Sequence, residues 1–174
     1  DLGKLQSRAG KILVSAAGTL EGRNTDGYGF IESLRAGAPG WSAAAGPAVV
    51  LGAGGAARAV IVALQDAGAP LIRVANRTLA TARGLADELG PGIEAIAWDA
   101  RAAALGDAAL LVNTTSLGLT GQPPLEIALD DLPPGAIVTD VVYAPLRTPL
   151  LESAAARGNV TVDGLGMLLH QGRP

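Results

Sequence analysis

Several residue types that build reactive sites are scarce in this sequence of 174 residues. It contains no cysteine, which excludes disulfides and thiolate-bound metals, and its single histidine excludes a cluster of histidine ligands. The net charge of −3 provides no attraction for nucleic acid or for an anionic membrane. No apolar run is long enough to cross a bilayer, and no signal-peptide pattern opens the chain. We therefore expect a soluble, cytoplasmic domain that binds no metal, nucleic acid or membrane.

Aliphatic side chains are abundant instead. Hydrophobic residues make up 49% of the chain, and Ala, Val and Leu are the most frequent of them. This composition is typical of a parallel sheet whose two faces are both covered. The length fits one domain, or one domain with an appendage.

A glycine turn between a strand and a helix is the central feature. Residues 48–51 form an apolar run of the kind that a strand buried on both faces needs, and Gly52, Gly54 and Gly55 follow. Ala57 occupies the last position of a G-x-G-x-x-G pattern, where a small residue also permits close packing of helix on strand. The face of the helix that packs on the sheet is predicted at Ala56, Val60, Ala63 or Leu64, and Ala67.

Such a turn is suited to a phosphate group. Glycines let the backbone approach the phosphate closely, and the free N–H groups and dipole of the helix start favour negative charge. The alternative is an ordinary tight turn between strand and helix. Because both the strand and the helix are recognisable, the pattern predicts dinucleotide binding.

The second strand, at residues 71–75, ends in residues that indicate which dinucleotide binds. Asn76 lies 24 residues after Gly52, near the position that contacts the adenosine ribose. An acidic residue there accepts a hydrogen bond from the 2′-hydroxyl of NAD. Here Arg77 follows Asn76, and its planar cation can pair with the 2′-phosphate of NADP. The alternative for Arg77 is a solvated loop arginine; we favour NADP over NAD.

Further strands alternate with helices or loops. A helix is predicted over residues 79–89, ending at Gly90. Four more strands are predicted at residues 93–98, 109–112, 136–143 and 160–162. Six strands in this arrangement predict an α/β fold, a Rossmann-type doubly wound parallel sheet with strand order 3-2-1-4-5-6. Asn113 and Thr115 follow the fourth strand and are expected at the ligand crevice.

The remaining segments are a hairpin and three helices. Short runs within residues 11–21 predict a hairpin with a turn at residues 17–18. The leading helix begins at residues 24–26 and stops at Gly37, and composition alone favours Asp26 as its N-cap. The other two helices are predicted from Thr148, as cap, to Gly158, and from Gly164 to Gln171.

Six short motifs occur together and in order. They are Asn-Thr-Asp-Gly-x-Gly-Phe at 24–30, Gly-Ala-Gly-Gly-Ala at 52–56, Asn-Arg-Thr at 76–78, Asn-x-Thr at 113–115, Asp-x-x-Tyr-x-Pro at 140–145 and Asp-Gly-x-x-Met-Leu-x-x-Gln at 163–171. Each motif alone is weak, but the ordered set is specific. It resembles the shikimate dehydrogenase family, NADP-linked enzymes that reduce 3-dehydroshikimate to shikimate in aromatic amino acid biosynthesis. The resemblance covers roughly residues 8–174.

The resemblance implies a role for each matching residue. Asp26 corresponds to the aspartate that works with a lysine at the carbonyl being reduced, and Tyr143 and Gln171 correspond to residues that border or bind the substrate. The expected cofactor-binding residues are Gly52, Ala53, Gly54, Gly55 and Ala56 at the pyrophosphate, Asn76, Arg77 and Thr78 at the 2′-phosphate, Gly164 and Met167 beside the nicotinamide, and Asn113 and Thr115 at the crevice.

The chain departs from the family pattern in three places. The amino-terminal substrate domain, which carries the catalytic lysine, is missing, so we expect residues 1–23 to be its remnant and residues 24–174 to be the NADP-binding domain. Lys11 stands where a substrate-binding asparagine is expected. Thr81 stands where many members have a second arginine, for which Arg83 could substitute.

Ketone reduction needs more than these residues supply. Asp26 is ionised near pH 7 and offers no proton, so a lysine of the missing domain is the expected donor, with His170 as the alternative. Two other functions stay open: a sister dehydrogenase acting on quinate, aminoshikimate or a related hydroxy acid, and an NADP-binding module without activity.

Overall fold

The computed structural model describes residues 11–14, 20–23 and 25–172. Two strands near its start, β1 (Lys11–Val14) and β2 (Leu20–Arg23), pair antiparallel in a sheet of their own. The predicted hairpin is therefore confirmed. Its turn at residues 17–18 and the helix-start residue Asn24 lie outside the described residues.

Six parallel strands form the main sheet. They are β3 (Ala48–Leu51), β4 (Ile72–Asn76), β5 (Ile93–Ala97), β6 (Leu110–Asn113), β7 (Ile137–Asp140) and β8 (Val160–Val162). Their spatial order is β5-β4-β3-β6-β7-β8. Counted from β3, this is the predicted order 3-2-1-4-5-6. The order reverses between β3 and β6, where doubly wound sheets open a crevice at the carboxyl ends of the strands.

Helices and short turns cover both faces of this sheet. The α-helices of the described chain are α1 (Asp26–Gly37), α2 (Gly55–Asp66), α3 (Leu79–Leu89), α4 (Pro149–Ala156) and α5 (Leu165–His170). Buried side chains of α1, α2 and α3 share one hydrophobic core, whereas α4 packs into a second core on the other face. The predicted cap of α4 is confirmed, because the Thr148 hydroxyl accepts a hydrogen bond from the N–H of Leu151.

The central strand β3 joins the two cores. Its four residues are buried, and successive side chains of a strand point to opposite faces. Val50 therefore packs with α1, α2 and α3, whereas Val49 and Leu51 pack with α4. Fully burying an aliphatic side chain of this size stabilises a fold by about 1.5–3 kcal/mol. The apolar run of β3 is thus required by burial on both sides.

The buried face of α2 differs from the prediction at several positions, since Ala57, Ala59 and Ile61 are buried as well. Val60 and Leu64 are buried as expected. Ala67, however, lies past the end of the helix and is exposed, so its predicted burial is wrong. Ala56 is half-buried, so its predicted burial is partly right. Ile61 faces the core instead, because burying its larger side chain removes more apolar surface from water.

Two predicted strands end earlier in the structure. The strand predicted over residues 136–143 stops at Asp140, whose carboxylate accepts a hydrogen bond from the N–H of Val142 and turns the backbone out of the sheet. The strand predicted over residues 93–98 stops at Ala97, and Trp98 begins a short 3₁₀ turn, Trp98–Ala100. Because both strands are shorter than predicted, residues 141–143 and Trp98 lie outside the strands at the carboxyl edge of the sheet.

The last helix, α5, docks tightly on α1. A side chain on Gly29 would place its Cβ 2.5 Å from the carbonyl oxygen of Met167 and 3.1 Å from Cβ of Gln171. Only a glycine permits this approach, since real Cβ atoms do not come so close. The contact places Gln171 against the first turns of α1.

Two kinds of feature are absent from the described residues. No helix among them has the length and apolar character that crossing a membrane requires. No group of three or more metal-ligating side chains comes together in that same part of the chain.

Candidate functional site

The glycine turn after β3 is held in a conformation that only glycine adopts easily. Gly52 has a φ of +108°, and its N–H donates to the carbonyl oxygen of Ala75 at 2.7 Å. A Cβ on Gly52 would lie 2.7 Å from Oγ1 of Thr114. That hydroxyl in turn donates to the carbonyl oxygen of Leu51. The turn is therefore fixed from two sides, and α2 begins directly after it with Gly54 as N-cap.

A cleft of about 360 Å³ opens in front of this turn, at the carboxyl ends of β3, β4, β5 and β6. It is lined by Gly52, Ala53, Gly54, Asn76, Arg77, Trp98, Thr114, Thr115, Ser116, Leu117, Gln122 and Pro123. Six of these were expected from the sequence, and they come from three separate strand ends. Of the other residues expected at the pyrophosphate, Gly55 is the first residue of α2, and a Cβ there would meet no atom within 4 Å. Ala56 follows it in the helix.

The cationic side of the cleft is formed by the end of β4. Asn76 donates through Nδ2 to the carbonyl oxygen of Thr78 at 3.0 Å, which shapes the turn before α3. Arg77 is exposed, and within the described part of the chain its guanidinium has no ion pair or hydrogen bond. Arg83, one turn into α3, is likewise exposed and unpaired among those residues. An anion in the cleft would therefore meet an uncommitted cation, which favours phosphate binding.

The end of β6 holds a buried hydrogen-bond network around Asn113. Asn113 has no exposed surface, and all four hydrogen-bonding positions of its amide are used. Nδ2 donates to the carbonyl oxygen of Leu117 and to Asp140 Oδ1, while Oδ1 accepts from both the N–H and the hydroxyl of Thr115. The side-chain amide of Asn113 is therefore committed to this network, and the expected contact of Asn113 with a ligand stays a prediction. Asn113 positions Thr115 and Leu117, which line the cleft.

Asp140 completes this buried network. Its Oδ1 accepts from Asn113 Nδ2 at 2.9 Å and from the N–H of Val142 at 3.0 Å, and its Oδ2 accepts from the Thr148 hydroxyl at 2.8 Å. Burial raises the pKa of Asp140, and the three hydrogen bonds oppose that rise without cancelling it. The network ties the ends of β6 and β7 to the start of α4.

The residues expected at the nicotinamide and substrate lie beyond β6, around β7, β8 and α5. Gly164 sits against the carbonyl groups of Val141 and Val142, and Tyr143 is 51% exposed. Met167 is half-buried against the core of α1, α2 and α3. These residues are on the opposite side of the glycine turn from Arg77.

Asp26 occupies the first position of α1, near this group. The helix cap is Thr25, so the interpretation of Asp26 as N-cap is wrong. Gly29 lies one turn later on the same side of the helix and contacts Met167 and Gln171, which places Asp26 and Gln171 at the same end of the α1–α5 pair. An acidic residue in the first turn also interacts favourably with the helix dipole.

His170 is separated from the cleft. It lines a different cavity, between α1, β8 and α5, together with Ser33 and Asp163. The role of His170 as the alternative proton donor stays a prediction, because the substrate is expected near α5 rather than at the glycine turn.

Six cleft residues were not singled out from the sequence. Trp98 is the most conspicuous, and its position directly after a strand that ends at this same edge was the available signal. Ser116, Leu117, Gln122 and Pro123 belong to a loop that is folded back by a hydrogen bond from the N–H of Gly118 to the carbonyl oxygen of Pro123. No sequence pattern predicted that closure.

Comparisons with known proteins agree with this site. Residues 41–118, which include the glycine turn and the end of β6, match the family model of shikimate / quinate 5-dehydrogenase. Shikimate dehydrogenase (NADP(+)) of Dinoroseobacter shibae is 58% identical over the whole chain, which covers 63% of that relative. The enzyme of the same name from Paramagnetospirillum magneticum is 57% identical over 94% of the chain and 59% of its own length.

Solved structures share the fold. Shikimate 5-dehydrogenase from Thermus thermophilus, in complex with NADP(H) and shikimate, superposes with a TM-score of 0.77 at 40% identity, over 92% of this chain and 57% of that one. Quinate dehydrogenase from Corynebacterium glutamicum, in complex with NAD, gives a TM-score of 0.84 at 31% identity, over 92% and 58%. The chain spans less than two thirds of the length of these relatives. In its ordered motifs, its strand order and its sequence, the chain is thus similar to shikimate dehydrogenases over the part of their length that it covers.

Proposed function

We propose that the cleft binds NADP, with the glycine turn at the pyrophosphate and Arg77 at the 2′-phosphate. The observation that carries this proposal is the pairing of two features in one cleft. Gly52 and Gly54 bring backbone to the start of α2, and Arg77 stands unpaired, among the described residues, at the end of the adjoining strand. Asn76 replaces the acidic residue that would hold the ribose of NAD.

We propose further that the chain is the cofactor-binding part of an NADP-dependent shikimate dehydrogenase, with 3-dehydroshikimate as substrate. This substrate is supported by the similarity to shikimate dehydrogenases, one of which is in complex with NADP(H) and shikimate. Residues 24–174 would form the NADP-binding domain, and residues 1–23 would belong to a substrate-binding domain. NADPH, when bound, supplies the hydride to the substrate carbonyl.

In this proposal the residues beyond β6 face the reacting groups. Gly164 and Met167 border the nicotinamide, and Tyr143 and Gln171 contact the substrate. Asp26, in the first turn of α1, accepts a hydrogen bond from the substrate hydroxyl and orients it. The proton for the developing alkoxide comes from a lysine of the substrate-binding domain.

Two alternatives are kept. A dehydrogenase acting on quinate or a related hydroxy acid is supported by the similarity to the Corynebacterium glutamicum quinate dehydrogenase. A module that binds NADP without turnover is the other, and it predicts cofactor binding with no reduction of any hydroxy-acid precursor. Steady-state assays with 3-dehydroshikimate and 3-dehydroquinate side by side separate the three.

The cofactor proposal is tested by titrating the protein with NADPH and NADH. We expect NADPH to bind at least about tenfold more tightly, which corresponds to 1.4 kcal/mol. Arg77→Ala should remove most of that preference, because it removes the cation beside the 2′-phosphate. Arg35→Ala is the matched control, since Arg35 pairs with Glu32 on α1 and lies outside the cleft. Equal affinities of the unmodified protein for the two cofactors would contradict the proposal.

A further inference from the structure

Tyr143, which is proposed to contact the substrate, is held by its backbone rather than by its side chain. The residue is 51% exposed, and its hydroxyl makes no hydrogen bond in the described part of the chain. It lies in the Tyr143 segment (residues 141–148), between β7 and α4, where the backbone forms neither helix nor strand. The hydrogen bonds of this segment therefore determine where the ring of Tyr143 stands.

Two anchored residues lie on either side of Tyr143. Before it, the N–H of Val142 donates to Asp140 Oδ1 at 3.0 Å. After it, the carbonyl oxygen of Ala144 accepts from the N–H of Thr120 at 2.8 Å and from the Thr120 hydroxyl at 3.0 Å. Among the described residues, no other hydrogen bond reaches the middle of the Tyr143 segment. Thr120 is therefore its anchor on the far side of Tyr143.

The loop that carries Thr120 also forms one wall of the cleft. Four residues of this cleft loop (residues 116–123) line the cleft, but Thr120 is not among them. The loop is closed by its own backbone, since the N–H of Gly118 donates to the carbonyl oxygen of Pro123 at 2.8 Å. The shape of the cleft wall therefore does not depend on the Thr120 hydroxyl.

The cleft loop and the Tyr143 segment lie side by side, and both are tied to the buried network. Asn113 Nδ2 donates to the carbonyl oxygen of Leu117 in the loop and to Asp140 Oδ1 at the start of the segment. A Cβ on Gly118 would lie 3.6 Å from Cβ of Thr148, at the other end of the segment. Since the ends of the two stretches are fixed in this way, Thr120 is held within reach of its partner.

We infer that Thr120 is a positioning residue for Tyr143 in the proposed reaction. The inference rests on the proposed function, in which Tyr143 contacts the substrate. Thr120 touches neither substrate nor cofactor; it fixes the carbonyl group of Ala144 and thereby the backbone that carries the tyrosine. A residue that contacts substrate and transition state equally affects KM and not kcat. Displacement of Tyr143 should therefore raise KM alone.

The test is Thr120→Val in the full-length enzyme, assayed by steady-state reduction of 3-dehydroshikimate. This substitution removes the hydroxyl but keeps the N–H bond and the shape of the side chain. We expect KM to rise about fivefold, or about 1 kcal/mol, while kcat stays within about twofold. NADPH affinity should not change, because Thr120 does not line the cleft.

Two further variants show whether the lost hydroxyl is the cause. Thr120→Ser keeps the donor and should restore the KM of the unmodified enzyme. Thr161→Val is the matched control, since Thr161 lies on β8, outside the cleft, and its hydroxyl makes no hydrogen bond among the described residues. Its KM and kcat should be unchanged. Thermal melts of all variants report on folding.

A double-mutant cycle tests whether Thr120 acts through Tyr143. Thr120→Val should raise KM when Tyr143 is present and have no further effect in the Tyr143→Ala enzyme, because the positioned side chain is then missing. A purely structural contact between two surface loops would instead lower the melting temperature equally in both backgrounds and leave KM unchanged.

Fluorine NMR measures the position of Tyr143 without any substrate. In enzyme labelled with 3-fluorotyrosine, the signal that Tyr143→Phe lacks belongs to Tyr143, and the signal that Tyr28→Phe lacks belongs to Tyr28. We expect Thr120→Val to shift or broaden the Tyr143 signal and to leave the Tyr28 signal, from α1, unchanged. Thr120→Ser should leave both signals unchanged.

The possible failures are distinguishable. If the unmodified enzyme reduces neither 3-dehydroshikimate nor 3-dehydroquinate, the proposed function is wrong, whatever the fluorine signals do. If the enzyme is active but Thr120→Val has a normal KM, or the Tyr143 signal does not respond, this inference alone is overturned. A loss of NADPH affinity equal to the rise in KM would also overturn it, since Thr120 would then support the whole cleft loop.

Discussion

Asn76 and Asn113 end the two strands that flank β3, and their surroundings are opposite. Asn76 is partly exposed, makes one side-chain hydrogen bond, and is followed by an unpaired, exposed Arg77 within the described chain. Asn113 is fully buried and makes four hydrogen bonds, one of them to Asp140. The half of the edge at β4 and β5 therefore offers its polar groups to a ligand, whereas the half at β6 and β7 uses them internally.

This difference separates two tasks of a cofactor site. The side of β3, β4 and β5 supplies backbone N–H groups and cations that a phosphate can use directly. On the side of β6 and β7, the hydrogen-bond network of Asn113 and Asp140 holds the ends of the strands that precede Thr115 and Tyr143. Two asparagines that look alike in sequence therefore differ, because Asn76 is available for contact with a ligand and Asn113 is committed to positioning its neighbours.

The largest effect is expected at Asp26, on the side proposed to face the substrate. Asp26→Asn in the full-length enzyme should lower kcat by about two powers of ten or more, which is about 2.7 kcal/mol of transition-state stabilisation. NADPH affinity should not change, because the cleft residues come from other elements. The measurement is steady-state reduction of 3-dehydroshikimate together with a thermal melt.

A matched control for Asp26 lies on the same helix. Glu32→Gln removes a carboxylate that pairs with Arg35 rather than facing the cleft, and kcat should stay within threefold of the unmodified enzyme, roughly 0.7 kcal/mol. Loss of the charge at Asp26 also removes about 0.3–1 kcal/mol of helix-dipole stabilisation. A change in melting temperature without the loss of kcat would reduce Asp26 to that structural role.

The Gly54→Val substitution tests the half of the sheet edge at β3, β4 and β5, where the pyrophosphate is proposed to bind. Gly54 has a φ of −90°, and a Cβ there meets no atom within 4 Å, so the fold should tolerate the substitution. The branched side chain would occupy the space of the pyrophosphate, and NADPH affinity should fall about a hundredfold, or 2.7 kcal/mol. Circular dichroism and NADPH titration measure the two effects.

Gly40→Val is the control for this experiment. Gly40 is exposed, is also open around its Cβ direction, and lies outside the cleft. Its substitution should leave both signals unchanged. A folded Gly54→Val protein that binds NADPH normally would show that the pyrophosphate does not lie at this turn.

Substitution of Asn76 and of Asn113 tests whether the ends of β4 and β6 use their polar groups differently. Asn113→Ala removes one hydrogen-bond partner from the buried Asp140 and from the part-buried Thr115 and Leu117, so we expect the free energy of unfolding to fall by about 2–3 kcal/mol. Asn76→Ala removes one partly exposed hydrogen bond and should cost less than about 1 kcal/mol. Denaturant unfolding of both variants measures the difference. Equal losses would mean that the two strand ends are not used differently.

The sequence was sufficient for the strand order and for the position of the cleft, because both follow from local strand–turn–helix patterns that repeat along the chain. It was insufficient for the ends of β5 and β7. Asp140 ends β7 through hydrogen bonds to Val142, Thr148 and Asn113, and the last of these lies 27 residues away in the chain. The burial of Asn113 and the exposure of Trp98 to the cleft likewise depend on contacts that no single segment contains.

The smallest expected effect concerns the pH dependence of stability through Asp140. Burial raises the pKa of Asp140 in the folded protein above its ordinary value of about 3.9. The folded state therefore holds this proton more tightly than the unfolded state, and the contribution of Asp140 to stability decreases as pH rises through the interval between the two pKa values. Below that interval the contribution is fully present, and above it no further change occurs.

Asp107 provides a control of opposite sign. Its hydrogen bond to Arg73 lowers the pKa of Asp107, so its contribution is present above the ordinary pKa and is lost as pH falls through the lowered value. Asp107 is exposed, and solvent screening keeps this effect small. We expect the stability difference between the unmodified protein and Asp140→Asn to grow as pH falls towards 4, and the difference for Asp107→Asn to shrink below it. Denaturant unfolding across that pH range measures how each stability difference changes with pH. The same pH dependence for both variants would contradict a raised pKa of the buried Asp140 carboxyl at the end of β7.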